Sequence, residues 1–218
     1  MGGGGASGAA FMLGQWFKRR RRNRWAVDRL HQSIQSQALR PEFYFDGGVR
    51  DNFSGRFEMT ALLATLVLRR LRELGGAGRD MAQDVFGALF SGFDEALRDI
   101  GTGDLTVGKK IRRMGEAFYG RARAYEEALA QTEGAAAESG EAETGQTVDD
   151  LLARVLSRNL GVDETHQAGF AAYVRAVDQA LSRHPEEQML AGEIRWPRFS
   201  VAVSRSTASQ NQAGAVGR

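Results

Sequence analysis

The stretch FSGRFEMTALLATLVLRRLREL, residues 53–74, decides the fold class. Between Ala61 and Leu68 it is apolar almost all round: Leu62, Leu63, Ala64, Leu66 and Val67 leave no polar face, which a helix shows only when it is buried on several sides. Asp51 or Asn52 stands ready to cap its start, and Gly75 and Gly76 supply a left-handed stop after Leu74. A helix of this kind is a central one and needs others around it.

Those others are legible on both sides. Upstream, Ala26, Leu30, Ile34 and Ala38 recur every four residues from Trp25 and predict a helix that Pro41 ends. The loop from Pro41 to Asn52 holds Phe43, Tyr44 and Phe45, expected to pack inward, and closes on the turn Asp46-Gly47-Gly48. Downstream, Met81, Val85, Phe86, Leu89, Phe90, Phe93, Leu97 and Ile100 predict a helix over about 80–100 with an aromatic face. After the break Gly101-Thr102-Gly103, Asp104 is a candidate cap, and Leu105, Ile111, Met114, Phe118, Ala122 and Tyr125 carry the period to about Leu129.

Residues 131–146 are rich in Gly, Ala and Glu; from Glu133 to Asp150 the chain has carboxylates and neither Lys nor Arg, a composition that predicts a flexible acidic linker inside the domain. Thr147 and Asp150 resemble a capping box ahead of Leu151, Leu152, Val155, Leu156 and Leu160, and Asp163 caps a last long helix with Phe170, Tyr173, Val174, Val177 and Leu181. The segment Ile194 to Phe199 is expected to lie across the helices. No strand pair with a hairpin turn is present. The reading is all-α: one helical-bundle-like domain of about six helices over residues 25–200, with a disordered basic arm over 1–24 and a disordered tail over 201–218.

Composition narrows the chemistry. The 218 residues include no Cys, which removes disulfides, thiolate metal sites and thiol nucleophiles together. A formal charge of +2 is too near balance for bulk electrostatics to make the whole chain a nucleic-acid binder. No run of 18 apolar residues exists, so no bilayer span is expected. His31, His166 and His184 lie far apart without metal-ligand spacing and read as surface or satisfied core residues. The run Gly101 to Lys110 has glycines and lysines ahead of a helix but lacks phosphate-loop spacing and follows a helix, so it reads as a helix-to-helix turn. The aromatic stripe of residues 80–100 would suit haem or quinone; core packing explains it without either, and neither a cofactor nor a metal is expected. No nucleophile motif or catalytic constellation occurs, so the reading is of a binding protein and not an enzyme, without a small-molecule substrate.

The arm has its own pattern. Trp16 and Phe17 precede Lys18, Arg19, Arg20, Arg21 and Arg22, with apolar before basic, the reverse of a secretion signal. It suits attachment to an anionic membrane surface, and a solvated arm is the equal competitor.

The runs Asp51 to Met59, Leu66 to Leu71, Gly101 to Ile111 with Met114, and Ala117 to Arg121 with Tyr125, in this order and spacing, resemble the ubiquinol-cytochrome c chaperone family over roughly Trp25 to Leu181. The resemblance implies an all-helical chaperone that binds newly made cytochrome b and promotes assembly of the cytochrome bc1 complex, with no catalytic residue. A small helper protein and the ribosome are further partners it leaves open. The residues that then become candidates for client or partner contact are Arg56, Glu58, Asp104, Lys109, Lys110, Arg113, Tyr119 and Arg121. For each cation a solvated helix face is the plain alternative, and Arg56, Glu58 and Asp104 are equally suited to ion pairs and caps within the domain. The competing function is a ribosome- or RNA-surface binder using the Arg-rich arm and the cations after Asp104. The expected location is the bacterial cytoplasm, peripheral to the inner membrane, with a mitochondrial transit arm as the alternative.

Overall fold

A computed structural model describes residues 23–138 and 142–200. The helices among them are α1 (23–38), α2 (Glu42–Phe45), α3 (Phe53–Glu73), α4 (Gly76–Asp99), α5 (Asp104–Glu138), α6 (Ala142–Leu160), α7 (Glu164–Ser182) and α8 (Glu186–Leu190), and no strand occurs among the described residues. The all-α reading holds, with α2 and α8 as short additions to the six long helices.

α3 is the central helix. It packs against α4, α5, α6 and α7, and Ala61, Leu62, Leu63, Ala64 and Val67 have no exposed surface. Thr65, buried among them, donates its hydroxyl to the Ala61 carbonyl at 2.7 Å, which pairs that hydroxyl inside the core. Its start is capped as expected: the Asn52 Oδ1 accepts from the Gly55 amide at 2.9 Å, an arrangement worth about 1 kcal/mol. Gly55 is obligatory there, since a Cβ would lie 1.9 Å from the Arg50 carbonyl oxygen.

The chain reverses at Gly75, whose φ of 69° is left-handed, and α4 begins at Gly76, one turn before the expected Asp80. The reason is Gly78: a Cβ there would stand 2.3 Å from the Leu71 carbonyl oxygen, so only glycine lets α4 start folding back on α3 this early. The next reversal, at Gly101 with φ 81°, is the helix-to-helix turn read from the sequence. α5 then runs to Glu138, beyond the expected end near Leu129, and α6 begins at Ala142, so Thr147 lies inside α6 and not at its cap. Ala and Glu favour helix here even without apolar side chains, and α5 and α6 pack against each other further in. The backbone expected to form a linker is therefore helical up to 138 and from 142; residues 139–141 lie outside those described. So do the tail over 201–218 and the arm, except that residues 23 and 24 already belong to α1.

Asp163 caps α7 as expected, accepting from the Thr165 amide at 3.0 Å; the Thr165 hydroxyl bond, then His166, hold its carboxyl below the usual range. The C-terminal segment lies along α1 as expected: Arg29 reaches Glu193 at 3.3 Å, and the Trp196 indole donates to the Ser33 hydroxyl at 2.9 Å. Phe199 then enters an aromatic cage, 4.8 Å from Phe43, 4.8 Å from Phe170 and 5.4 Å from Tyr173 between ring centroids. The Gln37 amide donates to the Tyr173 hydroxyl at 2.8 Å. Burial pushes that phenol up to about 12. Of the three loop aromatics only Phe43 is fully buried. Tyr44 is half-buried and donates to the Ala38 carbonyl at 2.6 Å, whereas Phe45 is 83% exposed, contrary to expectation. They sit on one helical turn, where three successive side chains sweep roughly 200° and cannot all face inward.

Candidate partner-binding face

α4 and α5 are joined by a short turn and lie side by side in opposite directions. Their contact is a chain of rings that starts in the core and ends in solvent. Phe57 meets Phe93 at 5.3 Å, Phe93 meets Phe90 at 5.5 Å, Phe90 meets Phe86 at 4.5 Å, and Phe86 meets Phe118 at 5.3 Å and Tyr119 at 5.4 Å. Phe57, Phe93 and Phe118 are buried, Phe86 and Phe90 half-buried, and Tyr119 is 63% exposed. The stripe read as core is thus core along one edge and surface along the other. A period of three and four residues marks a helix's apolar side without saying where the neighbouring helix stops covering it.

Cations stand on the first turns of α5, ahead of this seam. Lys109, Arg112 and Arg113 are exposed and meet no carboxylate among the described residues, while Lys110 donates to the Thr102 hydroxyl at 3.1 Å across the turn. Arg112 and Tyr119 are seven residues apart, two turns along one line of the helix, roughly 10 Å. The same stretch is unusually poor in side chains. A Cβ at Gly87, Gly108 or Gly120 would meet nothing within 4 Å, and one at Gly115 would make only ordinary contact, 3.8 Å from the Phe90 ring. Each such glycine costs its helix about 1 kcal/mol relative to alanine. No contact among the described residues requires them.

The other candidates are placed elsewhere. Glu58 of α3 and Arg121 of α5 face each other inside the bundle: Nε and Nη2, on one edge of the guanidinium, both donate to the carboxylate, the Nη2 bond measuring 2.5 Å, and the guanidinium lies 5.7 Å from the Phe57 ring centroid. The Glu58 side chain is only 7% exposed. Burial raises its carboxyl above the usual range and Arg121 opposes the rise. This pair ties α3 to α5. Arg56, exposed at the start of α3, pairs with Asp51 at 2.7 Å and holds that carboxyl below its usual range. Asp104 pairs with Arg98 across the α4–α5 turn. Of the eight candidates, then, Lys109, Lys110, Arg113 and Tyr119 are exposed along α5, with Lys110 and Tyr119 on opposite sides of the helix, and the other four make ion pairs within the domain. Phe86 and Phe90, beside Tyr119, and Arg112, in line with it, were not singled out from the sequence as contact residues. The arm residues Trp16, Phe17, Lys18, Arg19, Arg20, Arg21 and Arg22 lie outside the described residues.

Two clefts among the described residues lie away from this face. The larger, about 410 Å³ between α1 and the C-terminal segment, is walled by polar groups including Arg29, Ser33, His184 and Glu193, with Ile194 its one large apolar contact, which does not suit a haem or quinone ring. The second, about 180 Å³, sits among Arg69, Arg70, Glu73 and Asp178. No helix among the described residues is long and apolar enough to cross a membrane.

The pattern that defines the family described as "Ubiquinol-cytochrome C chaperone" matches residues 45–196, which contain the whole α4–α5 face. The chain belongs to the ubiquinol-cytochrome c chaperone family. Its fold agrees: the crystal structure of the Cbp3 homolog from Brucella abortus is similar with a TM-score of 0.72 and 27% identity, over 86% of this chain and 97% of that one. No curated protein matches the chain. The chaperone is accordingly a non-catalytic binding protein.

Proposed function

We propose that the chain promotes assembly of the ubiquinol-cytochrome c reductase complex by binding newly made cytochrome b through the α4–α5 face, on the cytoplasmic side of a bacterial inner membrane. The observation that supports this is the family match over residues 45–196, which encloses the one place where the aromatic chain from Phe57 to Tyr119 reaches solvent. A client made mainly of membrane helices needs a partner that tolerates apolar surface, and half-buried Phe86 and Phe90 supply it beside fixed charge. The arm's Trp16 and Phe17 with its five adjacent cations are suited to hold the domain near anionic lipid. Nothing in the fold favours the RNA-surface alternative.

Charge reversal of Lys109, Lys110 and Arg113 together tests the face. Co-capture of cytochrome b from the native cell should fall at least tenfold, while circular dichroism and the melting temperature stay unchanged, because each of these exposed charges contributes only about 0–1 kcal/mol to folding. Undiminished capture would show that the cations merely solvate α5 and would remove the face from the account.

A further inference from the structure

We infer that the α4–α5 seam takes its partner as a helix, apolar along one side and acidic at its C-terminal turn, laid antiparallel to α5. This deepens the proposed function and rests on it for the premise that the face meets a protein. Three features of the face define the occupant. Its apolar part is narrow: Phe86, Phe90 and Tyr119 form a strip, with Gly115 directly over the Phe90 ring, where a Cβ would lie 3.8 Å from it, and Gly87 open to solvent on the opposite rim. Side chains that withdraw on both rims admit a backbone to close range, a requirement of helix against helix and not of a lipid surface, which would gain from larger apolar groups there. Beyond the Phe90 end of the strip, on the first turns of α5, Lys109, Arg112 and Arg113 stand exposed without a carboxylate partner among the described residues, Arg112 in line with Tyr119.

Charge complementarity then orients the occupant. A helix carries partial negative charge at its C-terminus, so acidic residues there add to the attraction with the same sign, whereas a basic end would be repelled. From Lys109 to Tyr119 is ten residues, roughly 15 Å of helix. That length takes about one turn of acidic end and two turns of apolar body. The cations lie toward the start of α5, so the bound helix points its C-terminus that way.

The test uses the full chain and synthetic helical peptides of about 18 residues carrying a fluorophore at the N-terminus, read by anisotropy. One peptide has a Leu/Ala side and Glu in its last turn; a second has Lys there; a third moves the Glu residues to the first turn. The first should bind at least tenfold more tightly than either of the others. Arg112→Glu with Arg113→Glu should abolish that preference. Gly115→Leu, which raises helix propensity and leaves the fold intact by circular dichroism, should weaken the first peptide at least tenfold by filling the seam. Equal affinity for all three peptides, or wild-type affinity in the folded Gly115→Leu variant, overturns the inference. So does peptide-independent self-association that Gly115→Leu removes, or a response to phosphatidylglycerol vesicles in place of peptide. Because the readout needs no respiratory complex, failure here would leave the chaperone reading standing, and loss of that reading would show instead in the bc1 content of a deletion strain.

Discussion

Replacing Arg121 by alanine is expected to destabilise the folded chain by about 3 kcal/mol near pH 8, since it leaves Glu58 ionised inside the bundle without its partner. The deficit should depend on pH in a definite direction. Burial already lifts the Glu58 carboxyl above its usual value, and Arg121 is the group that opposes the lift, so its removal raises that carboxyl further. Above the ordinary carboxylate range the folded variant then keeps a proton that the unfolded chain has released, and stability falls as the pH rises through this window. On acidification Glu58 protonates and the difference from wild type should shrink. Urea unfolding of both proteins at pH 5 and pH 8 measures it. A deficit that is small, or that is the same at both pH values, would contradict a buried pair at this position.

Phe43→Ala should cost about 4 kcal/mol, because the ring is fully buried and forms one wall of the cage around Phe199 with Phe170 and Tyr173. For a chain of this size that corresponds to a fall in melting temperature of roughly 10 °C. Opening the cage also releases the C-terminal segment from α1, so trypsin should cut at Arg195 and Arg198 faster than in the wild type. The control is two residues away: Phe45→Ala, on a ring 83% exposed, should change stability by no more than about 0.5 kcal/mol. Equal effects of the two substitutions would mean that α2 is turned differently from the arrangement described.

These two sites mark what a sequence can and cannot reveal here. α3 was legible because Ala61 to Leu68 admits one environment only, and its ends were legible because Asn52 and Gly75 act through local backbone geometry. Asp163 and the Gly101 turn belong to the same class. Features that depend on distant partners were not legible. Glu58 and Arg121 are 63 residues apart, and no spacing rule joins them. Phe43 and Phe45 carry the same side chain two positions apart, and only the rotation of α2 sends one to 0% exposure and the other to 83%. The cations of α5 were visible as a basic run, but that the Tyr119 ring two turns on from Arg112 is exposed follows from where α4 ends its cover of α5. The early start of α4 depended on Gly78 against Leu71, a contact between two helices that residue order alone does not show.

The most direct measurement of the central claim is the reduced-minus-oxidised spectrum of membranes from a strain lacking this chain, with the wild-type sequence and the Lys109, Lys110 and Arg113 charge-reversal variant restored in turn. The account predicts that the cytochrome b signal and assembled bc1 complex fall together in the deletion, return with the wild type, and stay low with the folded variant. Normal cytochrome b and normal bc1 activity in the deletion strain would contradict it.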